Sequence, residues 1–183
     1  HRVPREADAQ PAAGFGFQLD VPADLFNYGE LHNLSVSRGT LTNEERFKIN
    51  DHIVQTIVML ERLPFPPNLS RVAEYAGTHH ETLRGDGYPR KLGPEQLSVP
   101  ARIMAIADIF EALTAADRPY KRAKSLSDSV KILAGFRDRG HIDPDLFDLF
   151  LTSGVYRRYA ERFLRSEQLD DFDITPFLQA AAA

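Results

Sequence analysis

Cysteine is absent from this sequence of 183 residues. Disulfide bonds and thiolate metal sites are therefore excluded, and any bound metal ion must be held by histidine, aspartate or glutamate. The absence of cysteine also suits a reducing cytoplasm, where we expect the protein to work. The sequence therefore leaves open a metal site built from nitrogen and oxygen ligands.

Long apolar runs and an excess of positive charge are also missing. No stretch of 18 or more apolar residues occurs, so the sequence predicts no transmembrane segment. The formal net charge of −4 argues against a general DNA-binding protein. A composition of 43% hydrophobic and 26% charged residues fits one compact soluble domain with a sizeable core. A small anionic ligand in a local basic pocket stays compatible with this charge.

The first residue is histidine rather than methionine, and no signal-like segment follows it. We therefore interpret the chain as a fragment of a longer protein. Residues 1–22, with several prolines and glycines, are predicted to form a linker or extended arm. Residues 23–178 are predicted to form one helical domain, and residues 179–183 a fraying tail.

Helical periodicity dominates the domain, and no convincing strand pattern or internal repeat accompanies it. Thr42 and Glu45 have the spacing of a capping box, which predicts a helix from there to about Glu61. Its apolar positions would be Ile49, Ile53, Ile57 and Leu60. A helix is predicted over 23–34, with Leu25, Leu31 and Leu34 as apolar contacts. The next helix is predicted from about Leu69 to the histidines at 79 and 80. Further helices are predicted over 99–115, over 126–136, from Asp143, and over 155–165. The sequence thus predicts an all-α fold of about six or seven helices.

Two adjacent histidines, His79 and His80, precede Glu81 and a glycine-rich turn. Imidazoles beside a carboxylate are ligands that zinc, manganese and iron prefer. Neighbouring residues on a helix point about 100° apart, so adjacent histidines on a helix cannot easily chelate one ion. They would instead reach different ions or lie on two sides of a cleft, which suggests a multi-metal site. The alternative is that the pair contacts only helix-terminal carbonyls.

Two further candidate ligands lie on other predicted helices. His52 follows Asp51, and Asp108 interrupts an otherwise apolar helix, where a carboxylate is costly to bury unless it is paired or bound to a metal. Helical proteins build metal sites from side chains that converge from facing helices. His52 could equally be an ordinary surface or core histidine, and Asp108 could hydrogen-bond a neighbouring helix end.

Several motifs in a fixed order resemble the HD-GYP family, a subgroup of the HD phosphohydrolases. The His-His-Glu run is followed by Gly87-Tyr88-Pro89. After these come Ala101-Arg102-Ile103, residues 107–114 and Asp117-Arg118-Pro119-Tyr120-Lys121. The resemblance covers roughly residues 38–150. It implies an all-α HD-type bundle with two or three divalent metal ions, commonly iron, manganese or similar. It also implies hydrolysis of the bacterial second messenger cyclic di-GMP to pGpG or GMP.

The resemblance also implies roles for individual residues. His52, His79, His80 and Asp108 take the positions of the family's metal ligands. Arg118 and Lys121 take the positions of basic residues that approach the substrate phosphates, although they could instead be ordinary cations at a helix C-terminus. Gly87, Tyr88 and Pro89 form the signature loop, which the family uses beside the site and in binding diguanylate cyclase (GGDEF) proteins. An upstream sensor or receiver domain is expected.

The sequence departs from the family pattern in two ways. The His-Asp doublet that names the family is absent, and the nearest match is the reversed Asp51-His52. Arg84 stands where many members have aspartate, and Asp86 lies nearby. Truncation and degeneration both explain the missing doublet. We therefore expect this chain alone to hydrolyse cyclic di-GMP poorly and to hold its metals incompletely. The alternative is a non-catalytic module that binds a diguanylate cyclase.

Overall fold

A computed structural model describes residues 1–6, 14–36, 39–115 and 124–179. The chain divides into two compact units: residues 1–80 with 87–91, and residues 81–86 with 92–183. Seven α-helices and one two-stranded sheet lie within the described residues. The prediction of an all-α fold with six or seven helices is therefore confirmed. Within the same residues, no helix combines the length and apolar character needed to cross a membrane.

The first unit combines a short β-ribbon with three helices. Its elements are β1 (Arg2–Pro4), β2 (Asp24–Asn27), α1 (Glu30–Leu34), α2 (Asn43–Glu61) and α3 (Val72–Gly77). β1 and β2 are antiparallel, with Val3 opposite Phe26.

The prediction of a helix over 23–34 is wrong in its first half, where β2 lies. Pairing with a distant segment overrides the local helical pattern there. Leu31 and Leu34 do fall in a helix, but they are 85% and 83% exposed, so the apolar contacts predicted for them are also wrong. The strand pairing itself had no counterpart in the sequence prediction.

The capping box at the start of α2 is present as predicted. Thr42 Oγ1 accepts a hydrogen bond from the Glu45 amide at 3.2 Å, and Glu45 Oε2 accepts one from the Thr42 amide at 2.8 Å. Ile53 and Ile57 are buried, whereas Ile49 of the same predicted series is 51% exposed. α2 is therefore fixed at its first turn and buries a narrower face than the sequence pattern suggested.

Replacing Thr42 with alanine is expected to lower the free energy of unfolding by about 0.5–2 kcal/mol, because the Glu45 amide loses its acceptor. Urea unfolding of the parent and the variant measures the difference. Thr42→Ser, which keeps the hydroxyl, is the matched control. An alanine variant as stable as the parent would contradict the role of this cap.

α3 contacts α2 at its last residue, Gly77, where there is no room for a side chain. A Cβ built on Gly77 would lie 2.5 Å from Cγ1 of the buried Ile57. The helix ends at Gly77, and His79 and His80 lie in the turn that follows. The prediction that the helix itself reaches both histidines is therefore wrong by about one turn.

The second unit is a group of four helices. These are α4 (Val99–Thr114), α5 (Leu126–Asp138), α6 (Pro144–Thr152) and α7 (Val155–Phe163), close to the predicted ranges. Leu133, Phe147 and Ala160 are fully buried in its core. Asp143 caps α6 as predicted, accepting hydrogen bonds from the amides of Asp145 at 3.0 Å and Leu146 at 3.1 Å. These bonds cap the first turn of α6.

The start of α5 is held by Asp170, 43 residues further along the chain. Burial acts to raise the pKa of the Asp170 carboxyl, but hydrogen bonds from the Ser127 hydroxyl and amide outweigh it and hold the pKa below its usual range. A depressed pKa in the folded state stabilises the protein at pH values above the unfolded pKa, and this stability is lost as the pH falls through the folded pKa.

Asp170→Asn is accordingly expected to lower the melting temperature at neutral pH. The difference from the parent should shrink as the pH falls below the value of about 3.9 that is usual for aspartate. Thermal unfolding of both proteins between neutral and acidic pH tests this. A difference that stays constant over the whole range would show that ionisation of Asp170 contributes nothing.

Candidate metal centre

Three of the predicted ligands meet in the first unit. His52 lies in the middle of α2, and His79 and His80 lie in the turn after α3. One ring nitrogen of His52, one of His79 and one of His80 all lie within 4.8 Å of one another. Among the described residues, this is the one group of three or more histidine and acidic side chains with that spacing. The packing of α3 on α2 is what brings the turn to His52.

Two of the three histidines are oriented by backbone carbonyls. Nδ1 of His52 lies 2.5 Å from the Ile49 carbonyl oxygen, and Nδ1 of His79 lies 2.8 Å from that of Ala76. A carbonyl oxygen only accepts, so each Nδ1 must donate its proton. In the neutral ring the lone pair then lies on Nε2, the arrangement seen in histidines that bind metals. These bonds prepare both rings for coordination through Nε2.

His80 is surrounded by other rings. Its ring centroid lies 4.1 Å from that of His79 and 5.3 Å from that of His52. The Tyr88 ring stacks on the His80 ring, with centroids 4.7 Å apart and an angle of 21° between the ring planes. The Tyr88 amide also donates a hydrogen bond to the His80 carbonyl oxygen at 3.2 Å. The signature loop thus contacts the central histidine directly.

The turn changes the interpretation of the histidine pair. Because His79 and His80 are not on a helix, the 100° argument against chelation of one ion by both no longer applies. Two nitrogens bound to one ion at about 2.1 Å lie at most about 4.2 Å apart. The three nitrogens, within 4.8 Å of one another, therefore fit one ion after a small inward movement, or two adjacent ions.

The exposure of the three rings also fits a catalytic rather than a structural ion. His52 is exposed, while His79 and His80 are half-buried. Three protein ligands with an open side leave coordination positions for water or substrate, whereas structural sites are closed by a fourth ligand. The donor set of imidazole nitrogens suits zinc, iron and similar transition metals.

The other predicted site residues lie elsewhere or outside the described residues. Asp108 lies on α4 of the second unit and is half-buried. Its place in the ligand set stays a prediction. Arg118 and Lys121 fall within residues 116–123, which lie outside the described residues, so their predicted contacts with phosphate remain predictions.

The segment between the histidines and the signature loop forms its own hydrogen-bond network. Arg84 pairs with Asp86, and the Thr82 hydroxyl donates to Asp86 at 2.6 Å. The Arg84 guanidinium, followed by the Thr82 hydroxyl, holds the pKa of Asp86 below its usual range. The residue that departs from the family pattern is therefore paired with the acid two positions later.

Glu81 has a structural role that the sequence analysis missed. Its side chain is 1% exposed, and Oε2 accepts a hydrogen bond from the Leu92 amide at 2.9 Å. The bond closes the loop of residues 81–92 at its base. A glutamate beside two histidines suggested an oxygen ligand, and nothing in the local pattern indicated a partner eleven residues away.

Comparison with known proteins identifies the family. The model of the HD domain family matches residues 6–146, and the chain belongs to this family. The HD-GYP resemblance is thereby confirmed.

The curated relatives include a 3'3'-cGAMP-specific phosphodiesterase of Vibrio cholerae serotype O1, 45% identical over 78% of this chain and 34% of its own length. A cyclic di-GMP phosphodiesterase of Thermotoga maritima is 30% identical over 79% of this chain and 40% of its own length. A cyclic di-GMP phosphodiesterase of Vibrio cholerae is 34% identical over 70% of the chain and 27% of its own length. The chain thus spans two fifths or less of the length of these relatives.

Proposed function

We propose that this chain carries part of the metal centre of a phosphodiesterase that hydrolyses cyclic dinucleotides of the cyclic di-GMP and 3'3'-cGAMP class. One observation carries the proposal: three imidazoles converge, and two of them have their lone pair on Nε2 because their Nδ1 atoms donate to backbone carbonyls. The relatives' names supply the substrate class. They favour a hydrolase over the alternative of a non-catalytic module that binds a diguanylate cyclase.

The substrate class is broader than the sequence analysis expected. Cyclic di-GMP alone was the expected substrate, but relatives named for 3'3'-cGAMP and for cyclic di-GMP match this chain over similar lengths. Both molecules are dianions with two phosphodiester bonds in one ring and at least one guanine. The proposal therefore covers both, and the assay below compares them.

The chemistry requires water to add to phosphorus while one bond from phosphorus to a ribose oxygen breaks. A bound divalent ion supplies a Lewis acid and lowers the pKa of coordinated water. His52 and His79 would hold it through Nε2, with the ring orientation fixed by the Ile49 and Ala76 carbonyls. His80 would complete the set, with its ring placed by Tyr88. The exposed side at His52 would admit the phosphate.

Three further residues enter the proposal from the resemblance. Asp108 would be an additional ligand, and Arg118 and Lys121 would contact the phosphates. A guanidinium pairs well with phosphate oxygens. Arg118 would therefore supply local positive charge for the anionic substrate, although the net charge of the chain is −4. Iron and manganese are the metals that we propose for the site.

The test is hydrolysis of cyclic di-GMP and 3'3'-cGAMP, followed by chromatography of the linear products. We expect slow turnover by the 183-residue chain with Mn²⁺ or Fe²⁺, and loss of turnover on adding EDTA. If the gene encodes a His-Asp doublet before His1, the longer protein should be much faster. Failure of that longer, metal-loaded protein to hydrolyse either substrate would overturn the proposal, as would turnover that EDTA leaves unchanged.

A further inference from the structure

The signature loop is held in place by a segment near the start of the chain, residues 15–18. The Gln18 backbone amide donates to the Pro89 carbonyl oxygen at 2.7 Å. The Gln18 side-chain amide donates to the Arg90 carbonyl oxygen at 2.9 Å. In return, Nε of Arg90 donates to the Phe15 carbonyl oxygen at 2.9 Å. Three hydrogen bonds thus join two segments that are more than 70 residues apart.

Aromatic contacts reinforce these hydrogen bonds. The rings of Phe15 and Phe17 are stacked, with centroids 5.6 Å apart and planes inclined by 4°. The guanidinium of Arg90 lies 5.5 Å from the Phe17 centroid, within the range of a cation–π contact. Arg90 also lies 3.9 Å from the Glu61 carboxylate at the end of α2. Arg90 is therefore fixed by the strap segment, which we define as residues 15–18, and by α2.

From the strap segment the contacts continue to the histidines. Pro89 and Arg90 directly follow Tyr88, whose ring stacks on His80 at 4.7 Å. Whatever fixes the backbone of residues 89 and 90 therefore limits how far the Tyr88 ring can move. Residues that touch a metal ligand without touching the metal set its orientation, and their loss typically weakens metal affinity by about 10- to 100-fold.

We infer that Tyr88 is a positioning residue for His80 and that the strap segment controls this position through Pro89 and Arg90. The inference rests on the proposed metal centre. The carbonyl bonds of His52 and His79 already orient those rings. Stacking by Tyr88 supplies an orienting contact of a different kind for His80. Changes at the strap segment would then alter metal binding from a distance.

The first experiment measures Co²⁺ binding to the 183-residue chain by its visible absorption. Tyr88→Leu, which removes the ring, is expected to weaken Co²⁺ binding by about 10-fold or more and to alter the spectrum. Tyr88→Phe, which keeps the ring, should restore both. Tyr28→Leu is the matched control, because Tyr28 lies in the same unit and stacks on Phe26 and His1 instead.

The strap segment is tested with the double variant Phe17→Ala/Gln18→Ala. We expect a loss of affinity of about threefold, below the roughly 10- to 100-fold range typical of a residue that touches a ligand directly. Measurements are made well below the melting temperature of each variant. A variant that melts earlier but binds Co²⁺ with unchanged affinity and spectrum would show a purely structural role and overturn the inference.

Proton NMR of the histidine rings without metal separates this inference from the proposed function. The His80 ring protons should be shifted by the Tyr88 ring in the parent, and the strap variant should reduce that shift. A parent chain that shows the shift but binds no Co²⁺ would count against the metal centre and leave the Tyr88 contact intact. A parent without the shift, or a strap variant that retains it fully, would refute the positioning role.

Discussion

Replacement of His79 by alanine is expected to lower the affinity of this chain for Mn²⁺ and Co²⁺ by at least about 100-fold, beyond the usual effect of losing a residue outside the ligand set. His79 has the Nδ1–H bond that leaves the lone pair on Nε2, and its ring centroid lies 4.1 Å from that of His80. Its loss would leave two of the three imidazoles, too few for the three-ligand arrangement of a catalytic ion.

Isothermal titration with each metal measures this effect, and circular dichroism verifies that the variant is folded. His32→Ala is the matched control, because it removes a histidine of the same unit. Nε2 of His32 lies 3.3 Å from a Glu44 carboxylate oxygen. His32→Ala should bind metal as the parent does. Equal affinities for the parent and His79→Ala would show that the three histidines do not hold the ion.

The helices could be predicted from the sequence because their signals are local. The capping box of Thr42 and Glu45 and the cap at Asp143 depend on residues within one turn, and both are present in the structure. Motif order likewise selected three histidines that the structure brings together. Short-range patterns were sufficient wherever the structure depends on short-range contacts.

Features set by distant partners could not be predicted in this way. β2 forms because residues 2–4 pair with it, and the strap segment meets Pro89 and Arg90 across more than 70 residues. The turn that carries His79 and His80 follows Gly77, the last residue of α3, which lies against Ile57 of α2. None of these partners lies within the reach of helical periodicity.

The close contact between α3 and α2 leads to the second large effect. Gly77→Ala is expected to lower the free energy of unfolding by about 1–3 kcal/mol, because an added Cβ would lie 2.5 Å from Ile57 Cγ1. Helix propensity alone favours alanine by up to about 1 kcal/mol, so the sign of the change tests the contact. Ile57 is buried and β-branched, and its Cγ1 cannot easily turn away.

A double-mutant cycle with Ile57→Ala identifies the cause. Ile57→Ala should itself cost about 2–5 kcal/mol, but it removes both close atoms and leaves only the Ile57 Cβ, 3.9 Å from the new methyl group. Gly77→Ala should then be neutral or stabilising in that background, as measured by urea unfolding. Because the turn after α3 carries His79 and His80, Gly77→Ala alone should also weaken Co²⁺ binding. If Gly77→Ala costs the same with either residue at position 57, the contact with Ile57 is not the cause of the destabilisation.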